Sequence, residues 1–484
     1  MNPLLLTDGY KVDHRRQYPV GTTIVYSNWT PRKSRIEDIE EVVFFGLQYF
    51  IKKYILEDFE TYFFNQPKAK VVAEYNRRIN NYLGENQVGT KHIEDLHDLG
   101  YIPMVFKALP EGASVPIRVP MFTMYNTKPE FFWLTNYFET LISAVVWMPC
   151  TSATIAKQYR KVLDQFAQET SSTPEFVDWQ GHDFSMRGMA GIDAGVSSSS
   201  AHLLSFTGTD TIPAIDFLEK YYNANSDQEL IGGSVAATEH SVMCMGTNEG
   251  ELETFKRLIC EVYPKGILSI VSDTWDLWKV LTVYLPELKN EIINRIGKVV
   301  IRPDSGDPVD ILCGSSDGKN EQERKGVIEL LWDCFGGKIN DKGYKELIPQ
   351  IGAIYGDSIT IKRAEEICER LKKKGFASTN VVLGIGSYTY QYNTRDTFGF
   401  AMKATYGEVM DEGRAIYKDP ITDDGTKKSA KGLLKIERNG DSYQLIDEVT
   451  WNEEEKGELI EVFRDGKLLI DQSLAEIRAR VRAK

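Results

Sequence analysis

Along the middle of the chain, short apolar runs alternate with stretches of helical periodicity. Residues 266–272, 298–301, 351–355 and 380–383 are strand-length runs rich in Ile and Val. Each stops at turn-forming or polar residues: Asp273, then Arg302-Pro303-Asp304-Ser305-Gly306, then Gly356-Asp357, then Gly384-Ile385-Gly386-Ser387. Such runs predict buried strands. Residues 274–285 and 359–374 between them carry a helical pattern, the second closing on the helix stop Lys372-Lys373-Lys374-Gly375. Strands alternating with helices predict βαβ units and a parallel sheet. Two further candidate strands, 176–179 and 202–206, bring the number to at least six, which favours a barrel or partial barrel over a short open sheet.

The flanks read differently. Residues 1–128 mix strand-like segments (22–29, 104–109) with helices, and 433–437, 444–447 and 461–469 read as antiparallel strands and hairpins. The expected fold is therefore α/β: a (partial) β/α barrel over 176–387, a helical connection over 129–175, and a mixed α+β domain built from both chain ends, 1–128 and 388–484. The most apolar long stretch, 131–148, is interrupted by Asn136 and Glu139. A membrane span needs about 20 nearly uninterrupted apolar residues, so this stretch predicts a buried helix and no membrane association.

Composition narrows the function. The 484 residues carry 57 Lys+Arg against 70 Asp+Glu, a net charge of -13, and a non-specific nucleic-acid binder needs the opposite balance. Six dispersed cysteines without a C-x-x-C pair predict a reduced, cytoplasmic protein with neither a disulfide framework nor a zinc cluster. One segment is locally basic: Arg395, Lys403, Lys418, Lys427, Lys428 and Lys431. It is either a solvated surface or a means of neutralising a pyrophosphate.

Barrels of parallel strands hold ligands at the C-terminal strand ends. Here those ends carry Asp273, Arg302, Asp304, Gly356, Asp357, Gly386 and Ser387. Singly, such residues are ordinary turn and cap residues. Together, glycine-bared backbone N–H groups and Arg302 suit a phosphate, while Asp304 and Asp357 suit ribose hydroxyls or water-held Mg²⁺. A sugar phosphate is the ligand this chemistry predicts. Gly181-His182-Asp183-Phe184-Ser185-Met186-Arg187-Gly188, Gly208-Thr209-Asp210-Thr211 and Glu239-His240-Ser241 are three further motifs.

With Thr7-Asp8-Gly9-Tyr10-Lys11-Val12-Asp13-His14, Thr394-Arg395-Asp396 and Lys418-Asp419-Pro420, these segments, in order along most of the chain, resemble the nicotinamide phosphoribosyltransferases of the type II phosphoribosyltransferase family. The resemblance implies a homodimer with active sites at the interface. It also implies synthesis of nicotinamide mononucleotide and pyrophosphate from nicotinamide and phosphoribosyl pyrophosphate, with Mg²⁺ and with ATP hydrolysis coupled through a phosphohistidine. Phe184 and Tyr10 of the second subunit would sandwich the pyridine ring. Arg187 and Asp210 would contact the carboxamide, and His240 would accept phosphate. Asp273 and Asp304 would serve catalysis, Mg²⁺ and ribose, beside Arg302, Gly356 and Asp357. Gly386 and Ser387 would hold the 5′-phosphate, and Arg395, Lys403, Lys418 and Lys427 the other phosphate groups.

The chain departs from the family pattern at Ser387-Tyr388, which interrupt a glycine run, at Ser185-Met186, and at Ala401. Asp210 can accept a hydrogen bond from an amide and would repel a carboxylate, which predicts nicotinamide over nicotinate. The competing expectations are a nicotinate phosphoribosyltransferase, a sugar-phosphate isomerase or aldolase on the same barrel, and a non-enzymatic interaction protein.

Overall fold

The computed structural model describes residues 1–85, 87–356, 358–418 and 430–483. Asp357 and Lys427, both expected site residues, lie outside the described residues. Two compact units emerge: one of residues 1–154, 216–225 and 393–484, the other of residues 155–215 and 226–392.

The second unit is built on seven parallel strands: β1 (Gly181–Asp183), β2 (Gly208–Thr209), β3 (Ala236–Ala237), β4 (Lys265–Val271), β5 (Ile296–Arg302), β6 (Ile351–Tyr355) and β7 (Val381–Ile385). Their spatial order is β2-β1-β7-β6-β5-β4-β3. A parallel bridge between Gly208 and Gly233 ties the two edges of this sheet together. The β/α barrel expected from the alternating pattern is present. Its four longer strands fall on the four apolar runs. The helix Ile361–Lys373 begins at an N-cap, Thr360, whose hydroxyl accepts from the Arg363 amide, and it turns out at Gly375 in a left-handed conformation, φ +74°.

Two expected strands are displaced. Residues 174–180 are helical, because Pro174 opens a 3₁₀ turn that continues into Val177–Gln180, and the strand follows as β1. Residues 203–206 close the helix Ile192–His202, and the strand follows as β2. Their apolar residues pack against the strands rather than forming them: a Cβ on Gly181 would lie 2.8 Å from the Phe206 ring.

In the first unit, both chain ends enter one antiparallel sheet, in the order Glu412–Ala415, Phe400–Val409, Thr22–Pro31, Phe122–Asn126, Met104–Ala108, Ile460–Arg464, Lys467–Leu468. The apolar stretch 131–148 is helical and its large side chains, among them Trp133, Leu134, Phe138, Ile142 and Val146, are buried in this unit's core. Among the described residues no single helix is long and apolar enough to cross a membrane; the pair Pro129–Tyr137 and Glu139–Thr170 qualifies only jointly and is bent by 44°. The division at 154/155 falls inside the helix Glu139–Thr170. Residues 216–225 belong to the first unit because Tyr221 O accepts from Gln48 and Tyr222 OH donates to the buried Glu111. Among the described residues no disulfide forms.

Candidate active site

A cavity of about 870 Å³ opens over the C-terminal ends of the barrel strands, lined by Phe184, Arg187, Asp210, Glu239, Arg302, Asp304 and Gly356 among others. Asp210 follows β2 and is half exposed. Its Oδ1 accepts from His182 Nε2 at 2.9 Å and from Ser234 Oγ at 2.6 Å. Burial alone would raise its pKa. The His182 and Ser234 hydrogen bonds, with the nearby Arg302 charge, instead hold the carboxyl below its ordinary value. It therefore presents an ionised acceptor to the cavity. The Phe184 ring stands 4.5 Å from His182, and its amide is fixed to Ile385 O at the end of β7.

An acidic and basic cluster stands at the ends of β4 and β5. Asp273 Oδ2 accepts from the amides of Asp304 (2.9 Å) and Ser305 (2.7 Å) and from the Ser305 hydroxyl. Asp273 Oδ1 is buried and 3.5 Å from His240 Nε2. Asp273 thus ties the end of β4 to the turn after β5. Arg302 Nη2 is 3.7 Å from Asp304 Oδ2, and its buried Nε meets no acceptor among the described residues. Gly356, at the end of β6, gives the Asp304 carboxylate its place: a Cβ would lie 1.7 Å from Asp304 Oδ1. Gly356→Ala will displace that carboxylate by about 1 Å or more and lower kcat/KM by about 100-fold, with the melting temperature nearly unchanged. Steady-state kinetics and a thermal scan check both halves of that statement.

Gly386 caps the short helix Ser387–Gln391, so the end of β7 turns straight into a helical first turn, where amide N–H groups face outward. The serine that interrupts the glycine run is accommodated by another glycine, since a Cβ at Gly188 would lie 2.0 Å from Ser387 Oγ. Ser387 therefore packs against the Arg187-Gly188 turn. Met186 lines the cavity and Ala401 is buried in the first unit's sheet.

A second cavity, about 540 Å³, shares Phe184, Asp210, Ala237 and Arg302 with the first and runs into the barrel between Ile267, Lys298, Val300, Gly352, Ile354 and Val382. Barrel interiors are ordinarily filled by side chains. This one stays open, with Gly352 and Ala237 among the small residues on its wall.

Tyr10, Arg395, Lys403 and Lys418 belong to the first unit. Tyr10 and Arg395 line its own cavity of about 260 Å³ with Asp8, Glu139 and Trp147. Burial, with the nearby charges of Arg32, Lys11 and Lys418 and against the pull of Glu139, lowers the pKa of Lys403. Four cations therefore share one neighbourhood in an acidic chain. His182, Asp183 and Ser234 are the groups sequence reasoning did not place at the site. The first two sit in a motif it had singled out, two residues and one residue before Phe184, while no spacing connects Ser234 to Asp210.

Comparison with known proteins follows the same lines. The model of the nicotinate phosphoribosyltransferase family matches residues 179–467, and that of the nicotinamide phosphoribosyltransferase N-terminal domain matches residues 2–85. The nicotinamide phosphoribosyltransferase of Acinetobacter baylyi is 54% identical over 493 aligned positions, covering 99% of this chain and 97% of that protein. That of Mycoplasma pneumoniae is 37% identical, covering 89% and 94%. Among solved structures, a nicotinate-nucleotide pyrophosphorylase from Pyrococcus furiosus aligns with TM-score 0.57 at 13% identity over 99% of this chain and 95% of that one. Human nicotinic acid phosphoribosyltransferase aligns with TM-score 0.55 at 15% identity over 98% and 93%. These two likenesses establish the type II phosphoribosyltransferase fold.

Proposed function

The chain belongs to the nicotinate and nicotinamide phosphoribosyltransferase family, and from that premise we propose how its residues divide the reaction. It is a pentosyltransferase that moves the phosphoribosyl group of phosphoribosyl pyrophosphate to nicotinamide, giving nicotinamide mononucleotide and pyrophosphate in NAD salvage. The observation that carries the residue assignment is Asp210, ionised and aimed by His182 and Ser234, in one cavity with Arg302 and Asp304.

Phe184 supports one face of the pyridine, Asp210 accepts from the carboxamide NH₂, and Arg187 donates to its oxygen. The pyridine nitrogen attacks the anomeric carbon as the bond to pyrophosphate oxygen breaks, so no side-chain nucleophile is needed. Positive charge grows on the ribose and negative charge on the leaving group. Asp304 and its neighbours answer the first, Arg302 the second, and groups already in place for such charges are the main lever on rate. Gly386 and Ser387 offer amides to the 5′-phosphate. Tyr10 from a second copy of the chain covers the other ring face, and Arg395, Lys403, Lys418 and Lys427 serve the phosphate groups, which makes the working form a homodimer.

Mg²⁺ fits this site as an ion shared with the substrate. No group of three or more potential ligands gathers among the described residues, whereas Mg²⁺ characteristically takes one or two carboxylates plus substrate phosphates. Asp273, through its unbonded Oδ1, and Asp304 are the carboxylates that would hold it. Bound there, it supplies charge neutralisation of the leaving pyrophosphate.

His240, half exposed beside Asp273, is the proposed acceptor of the ATP γ-phosphoryl group: a nitrogen–phosphorus bond forms, the bond to ADP breaks, and later hydrolysis restores the imidazole. A cytoplasmic location completes the proposal. In the wild type, ATP is expected to lower the KM for phosphoribosyl pyrophosphate by about 10-fold or more. In His240→Ala, turnover without ATP persists and the response to ATP disappears. Kinetics with and without ATP, and labelling by γ-³²P-ATP, test this. A variant still stimulated by ATP would exclude His240.

A further inference from the structure

Asp183 ends β1 and is completely buried. Its Oδ1 accepts from the Ser185 amide at 3.1 Å and the Ser185 hydroxyl at 2.6 Å. Its Oδ2 accepts from the hydroxyls of Thr209 at 2.8 Å and Thr211 at 3.2 Å. The lone pairs of both oxygens are thus used. Burial pushes the pKa of the neighbouring His202 down to about 4, and against its own burial the Asp183 carboxyl is held below its ordinary value by His202 and by hydrogen bonds from Ser185, Ser199 and Thr209.

The donors run in one direction. Ser199 Oγ donates to Thr211 Oγ1, which donates to Asp183 Oδ2. The Thr211 amide donates to Thr209 Oγ1, which also donates to Oδ2. Both chains end on an atom that must be a pure acceptor. The residues clamped in this way flank the two base-contacting groups: Phe184 lies between Asp183 and Ser185, and Asp210 between Thr209 and Thr211. The Asp210 amide also donates to the Asp183 carbonyl at 3.0 Å.

We propose that Asp183 is the positioning residue of the pyridine subsite, its carboxylate locking the ends of β1 and β2 so that Phe184 and Asp210 meet the base in fixed register. This rests on the reading of Phe184 and Asp210 as the base-contacting pair. An amide at this position cannot reproduce the carboxylate: the Ser185 amide needs an acceptor on one side, and on the other an NH₂ would meet the Thr209 and Thr211 hydroxyls that now donate to Oδ2.

The test measures kcat, both KM values, the nicotinamide/nicotinate ratio of kcat/KM and the melting temperature for Asp183→Asn and Thr209→Val. Thr209→Val is the milder, near-isosteric variant and keeps the test alive should Asp183→Asn fail to fold. The KM for nicotinamide is expected to rise about 10- to 100-fold in Asp183→Asn and less in Thr209→Val, while the KM for phosphoribosyl pyrophosphate stays within about twofold. The base preference narrows in parallel, and Thr209→Ser, which keeps the donor, restores what Thr209→Val loses. Variants that melt earlier but keep both KM values and the base preference would overturn the proposal and leave Asp183 a stability residue only. If the base-site reading itself is at fault, Asp210→Asn will also leave the base preference unchanged, which separates the two failures.

Discussion

Asp210→Asn is expected to collapse the preference for nicotinamide over nicotinate by about 1,000-fold or more in the ratio of kcat/KM. Stacking on Phe184 cannot produce that preference, because an aromatic pair adds only about 0.5–1.5 kcal/mol beyond burial and the two bases stack alike. A buried polar group matched to one substrate discriminates far more strongly. Among the described residues, the side-chain hydrogen bonds to Asp210 from His182 and Ser234 both reach Oδ1, and Asp210 lines the cavity. In the proposed role its free carboxylate oxygen would accept from an amide and repel a carboxylate. Asparagine removes the charge and offers an NH₂ that welcomes the carboxylate instead. Because its pKa is held below the ordinary value, Asp210 stays ionised from neutral pH well into the acid range, and the preference should persist there in the wild type. Steady-state rates with each base, at neutral and mildly acid pH, give the ratio directly. An unchanged ratio would remove Asp210 from specificity.

The strongest loss of stability is expected in the first unit, at a buried ion pair. Lys107 Nζ and Glu454 Oε2 are 2.6 Å apart with side chains only 7% and 1% exposed, and Tyr26 OH also donates to this carboxylate. Burial holds the Glu454 pKa above its ordinary value, although the Lys107 ammonium pulls it down. Lys107→Met strands a buried carboxylate, at a cost of roughly 3–5 kcal/mol, or a fall of roughly 10 °C in melting temperature. Replacing both partners with apolar residues should recover most of the loss. A single variant as stable as the double would show that the pair contributes nothing.

What the sequence could and could not reveal follows from distance along the chain. The strands β4 to β7 were legible because each is a run of β-branched residues bounded by turn residues, and the groups at their ends (Asp273, Arg302, Asp304, Gly356, Gly386) came with them. The strands β1, β2 and β3 are only two or three residues long, too short to show a period, so the longer apolar segments beside the first two drew the assignment instead. Contacts between distant residues were not legible at all. Nothing in the spacing connects Asp183 with Thr209 and Thr211, Ser234 with Asp210, or Lys107 with Glu454, which lie 347 residues apart. The motifs supplied candidate residues; folding supplied the hydrogen bonds among them.

The barrel's strand-end cavity is proposed to join a phosphoribosyl group to an uncharged pyridine amide. The most direct test is a competition: purified protein, phosphoribosyl pyrophosphate, Mg²⁺ and equal concentrations of nicotinamide and nicotinate in one vessel, with the nucleotide product identified by mass. Nicotinamide mononucleotide as the dominant product, together with pyrophosphate, is the predicted result. Nicotinate mononucleotide in equal or greater amount, or no nucleotide at all, would contradict the account.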